Sequence, residues 1–165
     1  MADRPLPLAD ALRAVMRRVP SPVTVVTAVY EGQPVGATIG SFTSVSLSPP
    51  LFSFNLQHGS VLRAAIEADA PFAVHVLRQN QEDLALRFAR PDLPPGERFA
   101  DLPDADPDGV PRLPCLARVR GRCHLRVSAG DHLLVIADVV STEGPSEGEP
   151  LVYVDRAFGV VLHDT

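Results

Sequence analysis

The stretch Pro22-Val-Thr-Val-Val-Thr-Ala-Val-Tyr30, followed by Glu31-Gly32 and then Pro34-Val-Gly-Ala-Thr-Ile-Gly40, decides the fold class. Its β-branched residues recur with a period of two around a turn signal, so it predicts a β-hairpin that opens a sheet. Working outward, Leu51 to Leu56, Phe72 to Leu77, residues 115 to 127, His132 to Val140 and Leu151 to Val161 read as further strands. In residues 115 to 127, Cys115, Ala117, Val119, Cys123, Leu125 and Val127 fall on one face. Arg118, Arg120, Arg122, His124 and Arg126 fall on the other, which reads as a solvated face.

Helical spacing is confined to short pieces. Leu8, Ala11, Leu12, Val15, Met16 and Val19 describe an amphipathic helix that ends near Pro20 and lies against the body of the fold. Ser60 is placed to cap a helix carrying Val61, Leu62, Ala65 and Ile66, and Gln81 to Phe88 forms another. The hydroxyl-rich residues 41 to 50, SFTSVSLSPP, read as a loop between strands. Residues 90 to 114 carry seven prolines and the acidic stretch Asp101 to Asp108, a long solvated excursion, part of which can close over a site. The expectation is one domain spanning residues 1–165, mainly β. Some six or seven antiparallel strands close, or nearly close, into a barrel that removes its own edges.

Composition narrows the chemistry. All 15 basic residues of the 165 are arginine, so mechanisms that need a lysine amine are excluded: Schiff bases, pyridoxal phosphate attachment and the phosphate-loop lysine. A net charge of -5 has the wrong sign for a nucleic-acid partner. No long apolar run follows the N-terminal basic residues or occurs elsewhere, which predicts a cytoplasmic protein with no membrane association. Cys115 and Cys123, if on one strand, lie about 26 Å apart at ~3.3 Å per residue and do not bond to each other. The five histidines show no ligand spacing, so no metal is expected. Neither a Gly-x-Ser-x-Gly elbow nor a GxGxxG fingerprint is present.

The most informative segment for chemistry runs from Gly36 to Pro50. Its small residues let a planar ligand approach the backbone, and its hydroxyls and amides bind carbonyl oxygens or phosphate without a charged side chain. The residues alone leave a second reading open, a Ser/Thr-rich loop that satisfies only its own backbone. A wider set of motifs is decisive: TVVT at Thr24 to Thr27, PVGATIGSFTSVSLSPPL from Pro34 to Leu51, FAVHVL with Gln81-Glu82 and RFA at Arg87 to Ala89, ERF at Glu97 to Phe99, Gly130-Asp131-His132, and EPLVYVDRAFG from Glu149 to Gly159. In this order, over residues of about 9 to 162, they resemble the flavin reductase family with the FMN-binding split-barrel fold.

The resemblance implies a homodimeric, six-stranded antiparallel split β-barrel of Greek-key type with a few short peripheral helices. It also implies an NAD(P)H-dependent flavin reductase that reduces FMN or FAD with NADH or NADPH. The reduced flavin would pass by diffusion to a flavin-dependent monooxygenase. Two alternatives accompany this reading: tightly bound flavin acting directly on a small molecule, and a non-catalytic flavin- or haem-binding module. Carried over by resemblance, Thr38, Ile39, Gly40 and Ser41 run beside the flavin ring, and Ser44, Val45 and Ser46 continue around it. Asn55 and Ser60 match positions near the phosphate or adenylate, Arg98 and Phe99 contact the cofactor, His132 contacts nicotinamide as the catalytic residue, and Tyr153 is an aromatic near the same pocket. Gly40 stands where many members carry Asn, and Glu97-Arg98-Phe99 replaces the usual Asp-Lys-Phe.

Overall fold

The computed structural model describes residues 7–102 and 104–162. The predicted hairpin is present as β2 (Thr24–Tyr30) and β3 (Gln33–Ile39), paired in register from Thr24↔Ile39 to Tyr30↔Gln33. With β4 (Thr43–Leu47), β5 (Pro50–Gln57), β6 (Phe72–Val76), β7 (Ala117–Ala129) and β8 (His132–Glu143) it forms a seven-stranded antiparallel sheet in the order β3-β2-β6-β7-β8-β5-β4. A second, three-stranded sheet joins β1 (Ser21–Pro22), β9 (Leu151–Val154) and β10 (Ala157–Val160).

The large sheet curls on itself. Val35 and Ile39 of β3 share one buried cluster with Phe54 and Leu56 of β5, although five strands separate β3 from β4 along the ladder. The strands β3 and β4 do not pair, so the sheet is not closed. The fold is therefore mainly β, as expected, with one more strand in the main sheet than six. The additional strand comes from residues 41 to 50, read above as a loop. Thr43, Val45 and Leu47 are good strand formers, and the segment pairs with β5 across a register shift between Ser44 and Ser46.

Among the described residues four short helices decorate the sheets: α1 (Leu8–Met16), α2 (Val61–Glu67), α3 (Glu82–Ala89) and α4 (Pro95–Arg98). In α2 Leu62, Ala65 and Ile66 are buried while Val61 faces out, and Ser60 makes no side-chain cap hydrogen bond. The helix α1 differs from expectation more sharply. It buries no residue, and Leu8, Leu12, Val15 and Met16 point away from the chain's own core. Its attachment is polar, through the Asp155 N–H to the Arg17 carbonyl at 2.7 Å and an Arg18–Asp155 ion pair.

The regular alternation read in residues 115 to 127 is interrupted twice. The register against β8 shifts at Arg120/Gly121 and at Cys123/Leu125, Cys115 lies before the strand, and both cysteines are free. A side chain at Gly121 would meet the Phe52 ring at 2.6 Å, so a glycine is needed where that ring crosses the strand. Arg118, assigned above to a solvated face, is only 3% exposed. Its guanidinium reaches Asp106 at 2.5 Å and Glu143 at 2.9 Å, and its Nε–H donates to His75 Nε2 at 3.3 Å.

Asp106 overturns the reading of residues 101 to 108 as wholly solvated. It is buried, and Arg112 (2.8 Å), Arg118 and Arg120 (3.1 Å) all converge on its carboxylate. Burial would raise its pKa, but hydrogen bonds from Arg118 and Arg112 outweigh that and hold it below the usual carboxylate range. The excursion is thus clamped to the sheet. Val110 and Leu113 sink into the core beside the clamp, and Thr27 Oγ1 donates to the Pro111 carbonyl at 2.9 Å.

His75 lies beneath the same cluster. It donates from Nδ1 to the Val25 carbonyl at 3.1 Å and accepts from Arg118 at Nε2, which requires the neutral ring. Burial, with the Arg118 charge adding to it, lowers its pKa from 6.5 to about 4. Between those values the unfolded chain holds the proton and the folded one does not. Stability is therefore complete above pH 6.5 and falls on acidification toward pH 4, by up to about 3 kcal/mol. In urea unfolding across that window, His75→Gln should show a flatter dependence on pH than the wild type, and an identical slope in both would refute this account.

Candidate functional site

A cleft of about 690 Å³ opens along the edge of β3. One wall is β3 itself with Gly40 and Ser41. A second is the end of β5 from Asn55, the turn His58-Gly59-Ser60 and the start of α2. The third is built by Phe88 and Ala89 at the end of α3 and by Pro91, Leu93, Pro95 and Arg98 of the excursion. His132, first residue of β8, stands at the rim.

The edge position of β3 gives the cleft its chemistry. Among the described residues the strand pairs only with β2, and the Gly36 carbonyl accepts from Arg98 Nη1 at 3.0 Å on the unpaired side. In an antiparallel strand alternate residues turn their N–H and C=O to the same side, so Thr38 also presents both groups outward to the cleft, and Gly40 follows the strand along the same wall. An edge of alternating donors and acceptors complements a planar heterocycle that carries the same pattern. The Thr38 hydroxyl is engaged elsewhere, donating to the Ala85 carbonyl at 2.6 Å and tying α3 to β3. Ile39 is buried and backs the wall from the core.

Small residues let neighbouring groups pack closely on this strand. A Cβ at Gly36 would lie 2.9 Å from Phe88 Cε1 and 2.9 Å from the Val26 carbonyl oxygen, so the absent side chain lets the Phe88 ring pack directly on the strand. A Cβ at Gly40 would meet Ser21 Oγ at 3.0 Å, so a side chain there would begin against β1. Ser41 Oγ accepts from the Asn55 N–H at 2.9 Å and joins the first wall to the second. At the start of α2 the Val61 and Leu62 amides precede the first intrahelical bonds, beside Ser60.

The rim is organised by two histidines. The His58 main-chain N–H donates to the Asp131 carbonyl at 3.1 Å, and its Nε2 lies 3.0 Å from the Gly130 carbonyl, which requires a proton on that nitrogen. These bonds fix the Gly130-Asp131-His132 turn over the cleft. His132 Nδ1 is 2.8 Å from Asp131 Oδ1, and the hydrogen bond from His132 keeps the Asp131 carboxyl below its ordinary pKa. With Nδ1 as donor, His132 Nε2 remains available to a ligand.

Of the residues singled out in the sequence, Thr38, Ile39, Gly40, Ser41, Asn55, Ser60, Arg98 and His132 converge on this cleft. Ser44, Val45 and Ser46 instead lie on the edge strand β4, outside the cleft lining. Phe99 sits behind the third wall with its ring edge-on to Phe88, centroids 5.0 Å apart. Tyr153 lines a separate depression of about 270 Å³ between α1 and the β9–β10 turn, packed edge-on to Phe158. Sequence reasoning missed His58, Phe88 and Leu93. The His-Gly-Ser run before α2 was a usable signal for the first, whereas the others reach the cleft only through tertiary packing. Among the described residues no grouping of three or more His, Cys, Asp or Glu could hold a metal ion.

The flavin reductase like domain model matches residues 16–161. The chain is 38% identical over 139 residues to the NADH-dependent FMN reductase of Agrobacterium fabrum, covering 83% of this chain and 77% of that protein. It is 34% identical over 149 residues to the reductase component of 4-hydroxyphenylacetate 3-monooxygenase from Thermus thermophilus, covering 90% and 94%. The solved structure of the NADH:FAD oxidoreductase of Streptomyces globisporus superposes with a TM-score of 0.86 at 31% identity, covering 99% and 100%.

Because the Phe88 ring is buried and rests on bare backbone, Gly36→Ala should displace it into the cleft and destabilise the fold by about 1–3 kcal/mol. Urea unfolding measures this, and a midpoint equal to that of the wild type would show that Phe88 does not depend on the missing Cβ.

Proposed function

The chain belongs to the flavin reductase like domain family, and from that premise we propose that it catalyses the NADH- or NADPH-dependent reduction of FMN or FAD and supplies the reduced flavin to a partner monooxygenase. The observation that carries the reading is the unpaired edge of β3 facing a cleft with His132 at its rim. The residues present fit a flavin. The outward Thr38 N–H and C=O match acceptors and donors at the polar edge of the ring, and the Phe88 ring packed on bare Gly36 forms the wall beside that edge. NADH as donor is supported by the Agrobacterium and Streptomyces relatives, both named for its use. Supply to a monooxygenase is supported by the Thermus relative, a reductase component.

When both are bound, the nicotinamide supplies a hydride and the flavin ring accepts it, so no protein nucleophile is required. The chain's own residues bind, orient and exclude water. Thr38 to Ser41 would hold a flavin ring along the β3 wall, and Asn55 and Ser60 of the second wall would face its phosphate-bearing part. Leu93 and the prolines of the third wall shed water from the reacting faces. His132 Nε2 orients the nicotinamide, held in place by Asp131 and by the His58 bonds to its turn.

The same reading carries a cytoplasmic homodimer of split-barrel type. Ser44 to Ser46 then take part from the edge strand, which along with the outward apolar stripe of α1 supports association of two copies. Phe99 serves by backing Phe88 rather than by touching the ligand.

Purified protein should accelerate NADH oxidation when FMN or FAD is added, and no acceleration with either flavin would refute the reading. His132→Ala should lower kcat/KM for the nicotinamide about tenfold, the worth of one well-placed hydrogen bond, while flavin affinity stays within about twofold. Equal losses in nicotinamide and flavin binding would show that His132 serves the fold rather than the hydride donor.

A further inference from the structure

Arg98 is the natural first choice as an anchor for a flavin phosphate in a chain without lysine, yet its hydrogen bonds point elsewhere. Nη2 donates to the carbonyls of Arg90 and of Leu93, the latter at 3.0 Å, and Nη1 donates to the Gly36 carbonyl at 3.0 Å. Its Nε–H is sealed from solvent and has no partner. A guanidinium has five N–H groups, so a single one, on Nη1, is left. A phosphate fork needs two parallel donors, which Arg98 cannot offer without abandoning carbonyls already bound. Burial, partly offset by the charge of Asp92, moves its pKa below the usual arginine value, consistent with a guanidinium turned inward.

The three carbonyls come from both sides of the cleft, one from β3 and two from the start of the excursion. Gly36 is in the β3 wall, Arg90 is the residue after α3, and Leu93 is in the apolar part of the third wall. We propose that Arg98 is a positioning residue, a latch that holds the third wall of the cleft against the edge of β3, and that it does not bind the flavin phosphate. This rests on the flavin reading above and deepens it. Ring binding then depends on Arg98.

The test compares FMN with riboflavin, which lacks the phosphate, in the full chain by flavin fluorescence titration. In Arg98→Met both flavins should weaken by the same factor, about tenfold or more for the loss of several hydrogen bonds, leaving the ratio of the two dissociation constants at the wild-type value. A ratio that collapses toward one while riboflavin binding is unchanged would overturn the latch. Arg98→Lys keeps the charge, and it serves if the methionine variant does not fold. A latch predicts weaker riboflavin binding, because an ammonium cannot reproduce the planar fork across three carbonyls; unchanged riboflavin binding overturns it. Should the wild type bind neither flavin, the functional reading fails on its own. Amide hydrogen exchange then decides the latch, with faster exchange at Arg90, Asp92 and Leu93 in Arg98→Lys supporting it and unchanged protection overturning it.

Discussion

The Asp106 carboxylate is the point on which the architecture depends. A Pro-rich excursion of this length has few backbone bonds to hold it, and chain entropy favours its release into solvent. Asp106 is drawn inward by Arg112 from the excursion and by Arg118 and Arg120 from β7, while Glu143 of β8 shares two of those arginines. One buried carboxylate thereby joins the excursion to two strands of the main sheet. Buried charges repay their desolvation only when every partner is in place, so the cluster acts as a unit. Val110 and Leu113 add the apolar burial that a salt bridge alone would not supply.

The cleft inherits its shape from that clamp. Residues 91 to 98 leave the end of α3 and must return along β3, and they are restrained at both ends: by α3, itself tied to β3 through Thr38, and by the Asp106 cluster farther on. Between these restraints Arg98 gathers three carbonyls, and Arg87 Nη1 adds a bond to the Ala100 carbonyl at 3.1 Å. The apolar wall opposite β3 is thus assembled by backbone acceptors and arginine donors. Its hydrophobic contact comes from Phe88, packed on β3 and backed by Phe99.

Legibility in the sequence followed the locality of the signal. The hairpin at 22 to 40 was readable because its alternation and its turn lie within one short window, and α3 because its apolar residues share a face. The strand β4 was hidden by its serines and by a register shift that breaks the alternation. Asp106 was hidden because an acid among prolines looks solvated, and its partners are revealed only when β7 folds beside it. The same holds at the cleft. Thr38 to Ser41, Asn55, Ser60, Arg98 and His132 were found through the family resemblance, whereas Phe88 and Leu93 join them by tertiary packing. The motifs named Arg98 without showing that its donors face carbonyls.

The bare edge of β3 has another side. A row of unpaired N–H and C=O groups is also a template on which a foreign strand could add, the usual route to edge-to-edge aggregation. Here α3 overhangs the edge through the Thr38 bond, the Gly36 carbonyl is taken by Arg98, and the excursion stands across the approach. These groups occupy part of the edge and leave less of it free for a second strand to pair with. The walls that shape the cleft for its ligand are also what keeps an open-edged sheet from recruiting its neighbours.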